Sequence, residues 1–121
     1  MKLRLFLVLF FLSCIIPALP AKAGEGITVT ASWYDLEGKR MANGQIFCGK
    51  DSSIAACRTL PLGTRLVVKN PENGRELKVV VKDRGPFVKG RGLDLTIAGA
   101  EKLGFRKKGV APVIIYIADS N

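Results

Sequence analysis

VVVKDRGPFVKGRGLDL, residues 79–95, starts as one strand and ends as another, with a glycine-proline turn between them. Upstream, Leu77, Val79 and Val81 alternate with Lys78, Val80 and Lys82, so one face of the first strand is an unbroken apolar row. Asp83 is the next residue on that row. A carboxylate at the end of a buried row is expected to lose water on one side, which disfavours its charged form and suits it to general acid work. Arg84, Gly85, Pro86 and Phe87 stop the strand, because proline donates nothing to a sheet ladder and glycine permits a turn. In Leu93, Asp94 and Leu95 the two leucines share one face and the second acid points to the other. The two acids, with Lys89 and Arg91 between them, read as one wall of a polar cleft. Taken singly, each acid also has an ordinary reading. Asp83 beside Arg84 suits a turn or a surface ion pair, and Asp94 suits the start of a helix ahead of Thr96.

The flanks read as further strands. Ile27, Val29 and Ala31 alternate with Thr28, Thr30 and Ser32, giving a half-buried strand that ends at Trp33 and Tyr34. Those aromatic rings suit either the apolar face of a sugar or the core. Residues 35–44 are a loop rich in glycine and charge. Leu60 to Thr64 forms a turn, Arg65 to Asn70 a strand, and Pro71 to Gly74 a hairpin turn in which Asn-Gly supplies positive φ. Glu76 to Asp83 then returns antiparallel. After Asp94, Thr96 caps a short helix whose apolar stripe is Ile97, Ala100 and Leu103 and which Gly104 ends. Val113, Ile115 and Ile117 alternate with Ile114 and Tyr116 in a last, central strand. Short strands with closely spaced turns and a single helix argue for a mainly β fold, a small barrel.

The amino end reads as an export signal over residues 1–23: Lys2 and Arg4, an apolar run from Leu5 to Ile16, and the small-x-small pattern Ala21, Lys22, Ala23. Pro17 and Pro20 interrupt it, and a membrane span needs about 20 apolar residues. Cleavage before Cys14, as in a lipoprotein, fits less well, since Phe11, Leu12 and Ser13 make a poor lead for it. The expectation is one domain over residues 24–121, exported to the periplasm or the cell wall, a monomer with no membrane span after cleavage. Without Lys2, Arg4 and Lys22 the 19 basic residues fall to 16 against 10 acidic ones, a net of +6. That balance favours anionic partners such as wall polymers, and no nucleic-acid motif is present. Cys48 and Cys57 would remain as an even pair in an oxidising compartment, and a bond between them would stabilise the fold by roughly 2 to 3 kcal/mol. With no histidine and two thiols, neither a metal site nor a cofactor is expected.

The runs TASWYD, MANGQ, AACRTLPLGTRLVVKN, VVVKDRGPFVKGRGLDLT, AGAEKLGF and GVAPVIIYI, in that order from Thr28 to Ile117, resemble the rare lipoprotein A family. The resemblance implies a six-stranded double-psi β-barrel with one or two short helices, a fold shared with expansin-like proteins. It also implies peptidoglycan glycan strands as the partner and endolytic lytic transglycosylase activity, in which the sugar's own C6 hydroxyl attacks and a 1,6-anhydro product forms. Asp83 matches the acid of the family's DRGPF motif and becomes the expected catalytic acid, with Asp94 a second acid or sugar contact. Trp33, Tyr34, Asn43, Gln45, Arg84 and Phe87 are the expected substrate-binding residues. Two positions depart from the family pattern. Gln45 stands where the family has Glu, and Cys57 where it has His; an amide exchanges no proton near neutral pH. These departures keep a second class open, an expansin-like module that binds wall polysaccharide without cutting it.

Overall fold

The computed structural model describes residues 25–119; the expected export signal over residues 1–23 and Cys14 lie outside them. Six strands close into a barrel: β1 (Ile27–Trp33), β2 (Ile54–Ala56), β3 (Arg65–Lys69), β4 (Glu76–Asp83), β5 (Leu93–Leu95) and β6 (Val110–Asp119). Their order around the barrel is β1-β5-β2-β4-β3-β6. Two pairings, β1 with β5 and β2 with β4, are parallel; the other four are antiparallel. A parallel neighbour cannot be reached by a hairpin, so the connections after β1 and β2 must cross the barrel. Closure leaves no free edge, which suits a small all-β domain.

The apolar rows read from the sequence fill the inside. Leu77, Val79 and Val81 of β4 pack with Leu66 and Val68 of β3, Leu93 and Leu95 of β5, and Val113 and Ile115 of β6. Ala31, Ala55 and Ala111 complete the interior, where small residues let short strands approach. The helix α1 (Ile97–Leu103) closes one side with Ala100 and Leu103. Thr96 caps it through Gly99 N–H at 3.0 Å, as expected. Gly104 ends it at φ 85°, and a Cβ there would lie 2.7 Å from the Asn73 side chain.

A second, smaller cluster of Met41, Phe47 and Ile54, with Tyr34 against it, packs the long loop between β1 and β2 onto the barrel's outer surface. The sequence alone marks no strand at β2. Its three residues are too few to show a period, and their burial pattern is continuous.

The expected disulfide is absent: both cysteines are free, Cys48 exposed and Cys57 buried. The physical reason is placement on opposite sides of the wall. Cys57 continues the inward row of β2 and belongs to the main core, with its sulfur 3.9 Å from Thr59 Oγ1, while Cys48 sits on the outer loop.

Asn70 ties the hairpin to the helix. Buried to 2% exposure, it donates to the Leu103 carbonyl at 2.8 Å, and its side-chain oxygen accepts from Glu72 N–H at 3.0 Å. Asn70→Ala removes one of two amide donors to the Leu103 carbonyl, which keeps Asn73, and leaves Glu72 N–H without its acceptor, so it is expected to cost about 1 kcal/mol and lower the melting temperature by roughly 5 °C. Thermal unfolding followed by circular dichroism checks it.

Candidate functional site

The two acids meet in one row across the outer face of the sheet. In β5, Leu93 and Leu95 face the core and Asp94 the other way. Asp94 pairs with Ser32 of β1 on one side and with Ala56 of β2 on the other. Ala56 in turn pairs with Asp83 of β4. Strict alternation would turn Asp83 inward after Val81. The β2–β4 register slips instead: Ala55 pairs with Val81 but Ala56 with Asp83, so Lys82 is an extra residue. Such a bulge re-aims the side chains that follow it. The row is therefore Ser32, Asp94, Ala56, Asp83, with the Cα atoms of the acids about 10 Å apart at ordinary strand spacing. The residue between them, Ala56, is small and itself buried, 1% exposed.

Their environments differ, and not as the sequence led one to expect. Asp83, expected to be buried, is half-exposed, because the slip takes it off the inner row. Three donors hold it: Ala42 N–H and Arg84 N–H on Oδ1, and the Tyr34 hydroxyl on Oδ2, each at 2.9 Å. Asp94 is the buried acid, 9% exposed, and accepts a hydrogen bond from the Ser32 hydroxyl on Oδ1. Burial is the main cause that pushes its carboxyl above the usual aspartate value, and the charge of Asp83 adds to it; the Ser32 bond and the Arg91 charge oppose. Between the two, the Tyr34 phenol is pushed far above its ordinary value by burial first, then by its bond to Asp83 and the charges of both acids. It stays a donor. Its ring lies 4.7 Å from that of Phe47, centroid to centroid, which fixes it over the row.

The loop above is folded on itself. Asn43 N–H donates to the Lys82 carbonyl at 3.1 Å, and Asn43 and Gln45 are bonded to each other through Gln45 N–H and the two side chains. Gly44 turns between them at φ 92°. Asn43 and Gln45 thus sit beside the Asp83 end of the row, exposed. Phe87, 78% exposed on the turn after β4, is a free aromatic face close in sequence to Asp83.

Two expected contacts have other work. Trp33 shares its face with Leu95, packs on the main core and donates its indole N–H to the Arg106 carbonyl at 3.0 Å, away from the acid row. The Arg84 guanidinium braces the Cys57 and Leu60 carbonyls at 2.9 and 2.6 Å. Cys57 lines an apolar cavity of about 350 Å³ with Ile27, Val29, Leu60, Ile115 and Ile117, so its sulfur does not face the acids. Ser32 was missed as a site residue. Its signal was parity: it alternates with the inward Ala31 just as Asp94 does with its leucines. Among the described residues no group of three or more acids or thiols could hold a metal.

Closed β1-β5-β2-β4-β3-β6 order with two parallel pairs defines the class: a double-psi β-barrel. A family model described as lytic transglycolase matches residues 27–115, and the chain belongs to that family. The probable endolytic peptidoglycan transglycosylase RlpA of Aquifex aeolicus is 50% identical over 84 residues, which cover 68% of this chain and 37% of that protein. The endolytic peptidoglycan transglycosylase RlpA of Campylobacter jejuni is 40% identical over 96 residues, 78% of this chain and 34% of its own. The chain thus spans about a third of the length of these two curated relatives. A Clavibacter michiganensis expansin superposes with TM-score 0.62 at 22% identity, over 79% of this chain and 52% of the other; at that identity the likeness is one of fold. A variant of a Clavibacter michiganensis expansin, solved in complex with cellohexaose, superposes with TM-score 0.57 at 19% identity over 78% of this chain and 52% of that one.

Proposed function

We propose that this barrel cuts the glycan strands of peptidoglycan as an endolytic lytic transglycosylase, in the exported cell-wall compartment. The observation that carries the reading is the acid row, in which burial raises the Asp94 carboxyl above the usual aspartate value while three donors orient Asp83. Two carboxyls in unlike environments divide acid and charge-stabilising roles. Asp94 gives its proton to the glycosidic oxygen as the bond to the muramic C1 breaks. The Asp83 carboxylate faces the positive charge that develops on that sugar, oriented by Tyr34. The C6 hydroxyl then attacks C1 and its proton returns to Asp94, so the enzyme ends as it began and no water is consumed. This assignment gives the acid role to Asp94 rather than to Asp83, the residue favoured by the sequence motif.

Purified sacculi incubated with the protein and digested for mass spectrometry test it. The expected result is muropeptides ending in 1,6-anhydro sugars. Sacculi left uncut, under conditions in which a relative with Glu at the Gln45 position cuts them, would refute it.

A non-cutting, expansin-like reading has two observations in its favour. Gln45 cannot exchange a proton, and Cys57, where the family has His, turns its sulfur inward. It predicts binding to sacculi with no anhydro product. Both readings use the exposed Phe87 as a stacking face. Phe87→Ala is expected to weaken glycan binding about tenfold in a sacculus pelleting assay without changing the melting temperature.

A further inference from the structure

Next to the Ser32–Asp94 pair, the seam between β1 and β5 opens into a depression of about 400 Å³ lined by Thr28, Thr30, Arg58, Gly90, Arg91 and Gly92, among others. It lies on the same two strands as the Ser32–Asp94 end of the acid row. Thr28 and Thr30 lie on the same face of β1 as Ser32, and Gly92 N–H donates to the Thr30 carbonyl at 2.9 Å, two residues before Asp94. Two strand residues place it roughly 7 Å from the acid. Arg91 is close enough that its charge lowers the Asp94 carboxyl against the effect of burial.

The floor is made of glycines. A Cβ at Gly92 would come within 2.9 Å of Val29, while Gly90 faces open space. Two arginines, Arg58 and Arg91, line the same depression. Among the described residues the side chains of Arg58 and Arg91 enter no hydrogen bond or ion pair, although arginines elsewhere do: Arg106 pairs with Glu101 at 2.7 Å and Arg84 with two carbonyls. Two cations lining one small depression repel each other until an anion lies between them. Arginine presents a planar fork that matches a carboxylate, and the two threonine hydroxyls add donors beside it.

We infer that this depression is a subsite for a carboxylate carried on the glycan strand, one that docks the strand so that the scissile bond reaches Asp94. The inference rests on the proposed glycan reading and adds to it a charge requirement. Two carboxylates share this chemistry: that of the lactyl ether, free where the stem peptide has been removed, and those of the stem peptide itself. Neutral polysaccharide has neither.

The test is binding, measured by calorimetry and pelleting, of wild type and the Arg58→Gln, Arg91→Gln double variant. The probes are amidase-stripped glycan strands, the same strands with their carboxyls amidated, peptide-bearing strands and neutral chitin hexamer. Arg58 is exposed and Arg91 half-exposed, so the variant keeps its core; the Arg58→Lys, Arg91→Lys pair serves as a control that retains charge. The expected result is binding to stripped strands at least about tenfold weaker in the glutamine variant, the same loss in wild type on amidation, and chitin binding unchanged. A loss confined to peptide-bearing strands supports the subsite with the stem peptide as its source. Unchanged binding to both carboxylated probes, or an equal loss on chitin, overturns it. Wild type that binds strands through the arginines yet yields no anhydro product would sink the cutting reading alone.

Discussion

Asp94→Asn is expected to reduce release of anhydro-muropeptides from sacculi by a factor of about 10² to 10⁴ while leaving glycan binding intact, since a positioned proton donor contributes on that scale. Asn keeps the acceptor for the Ser32 hydroxyl, so the local bonding survives and only the proton is lost. The same variant carries a second, opposite effect. Burial raises the Asp94 carboxyl in the folded protein, so the folded state binds more protons than the unfolded chain, and stability falls as pH climbs from the ordinary aspartate value through the raised one. Asn does not titrate. Asp94→Asn is therefore expected to melt at a higher temperature than wild type at neutral pH, with the gap closing below the unfolded aspartate value. Melting curves across that pH range check it. A residue kept at a cost to stability and needed for turnover is the mark of a working acid.

Asp83→Asn has the second largest expected effect. The amide oxygen can still accept from Ala42 and Arg84 N–H, and its nitrogen can donate to Tyr34, whose hydroxyl only has to turn. The fold is kept and the negative charge is not. Cutting is expected to fall by a factor of about 10² to 10³, the scale of a lost electrostatic contact to the transition state. Two titrations report the cause. Tyr34 loses both its bond to the carboxylate and that charge, so its phenol moves down toward the ordinary value while burial still holds it above, and Asp94 moves down as well. Ultraviolet absorbance of the phenol follows the first. A Tyr34 titration identical to wild type would show that the phenol and the acid are not coupled.

Much of this was legible in the chain. The row Leu77, Val79, Val81 gave β4 and its buried face, the pair Leu93 and Leu95 gave the outward turn of Asp94, and Thr96 with Gly104 bounded the helix. These are local signals: a period of two, a hydroxyl cap, a glycine stop. A small barrel was legible in the short strands and close turns, but its strand order only through resemblance, since parallel pairing of β1 with β5 and of β2 with β4 joins residues far apart in sequence. What misled was also local. Alternation extended one residue too far put Asp83 on the inner row, whereas the slip at Lys82 is a property of two strands together and leaves no mark in either alone. The cysteine pair misled similarly, because spacing says nothing of which side of a wall each thiol faces. Trp33 and Arg84 are of types that bind sugars, and their indole N–H and guanidinium also bond backbone carbonyls here.

The whole assignment turns on which acid keeps its proton. Carboxyl-carbon NMR of the intact protein, with the Asp94 resonance identified by its disappearance in Asp94→Asn, reads this directly. The expected curve for Asp94 has its midpoint above that of an ordinary aspartate; a midpoint at or below the ordinary value would contradict the account and return the acid role to another residue.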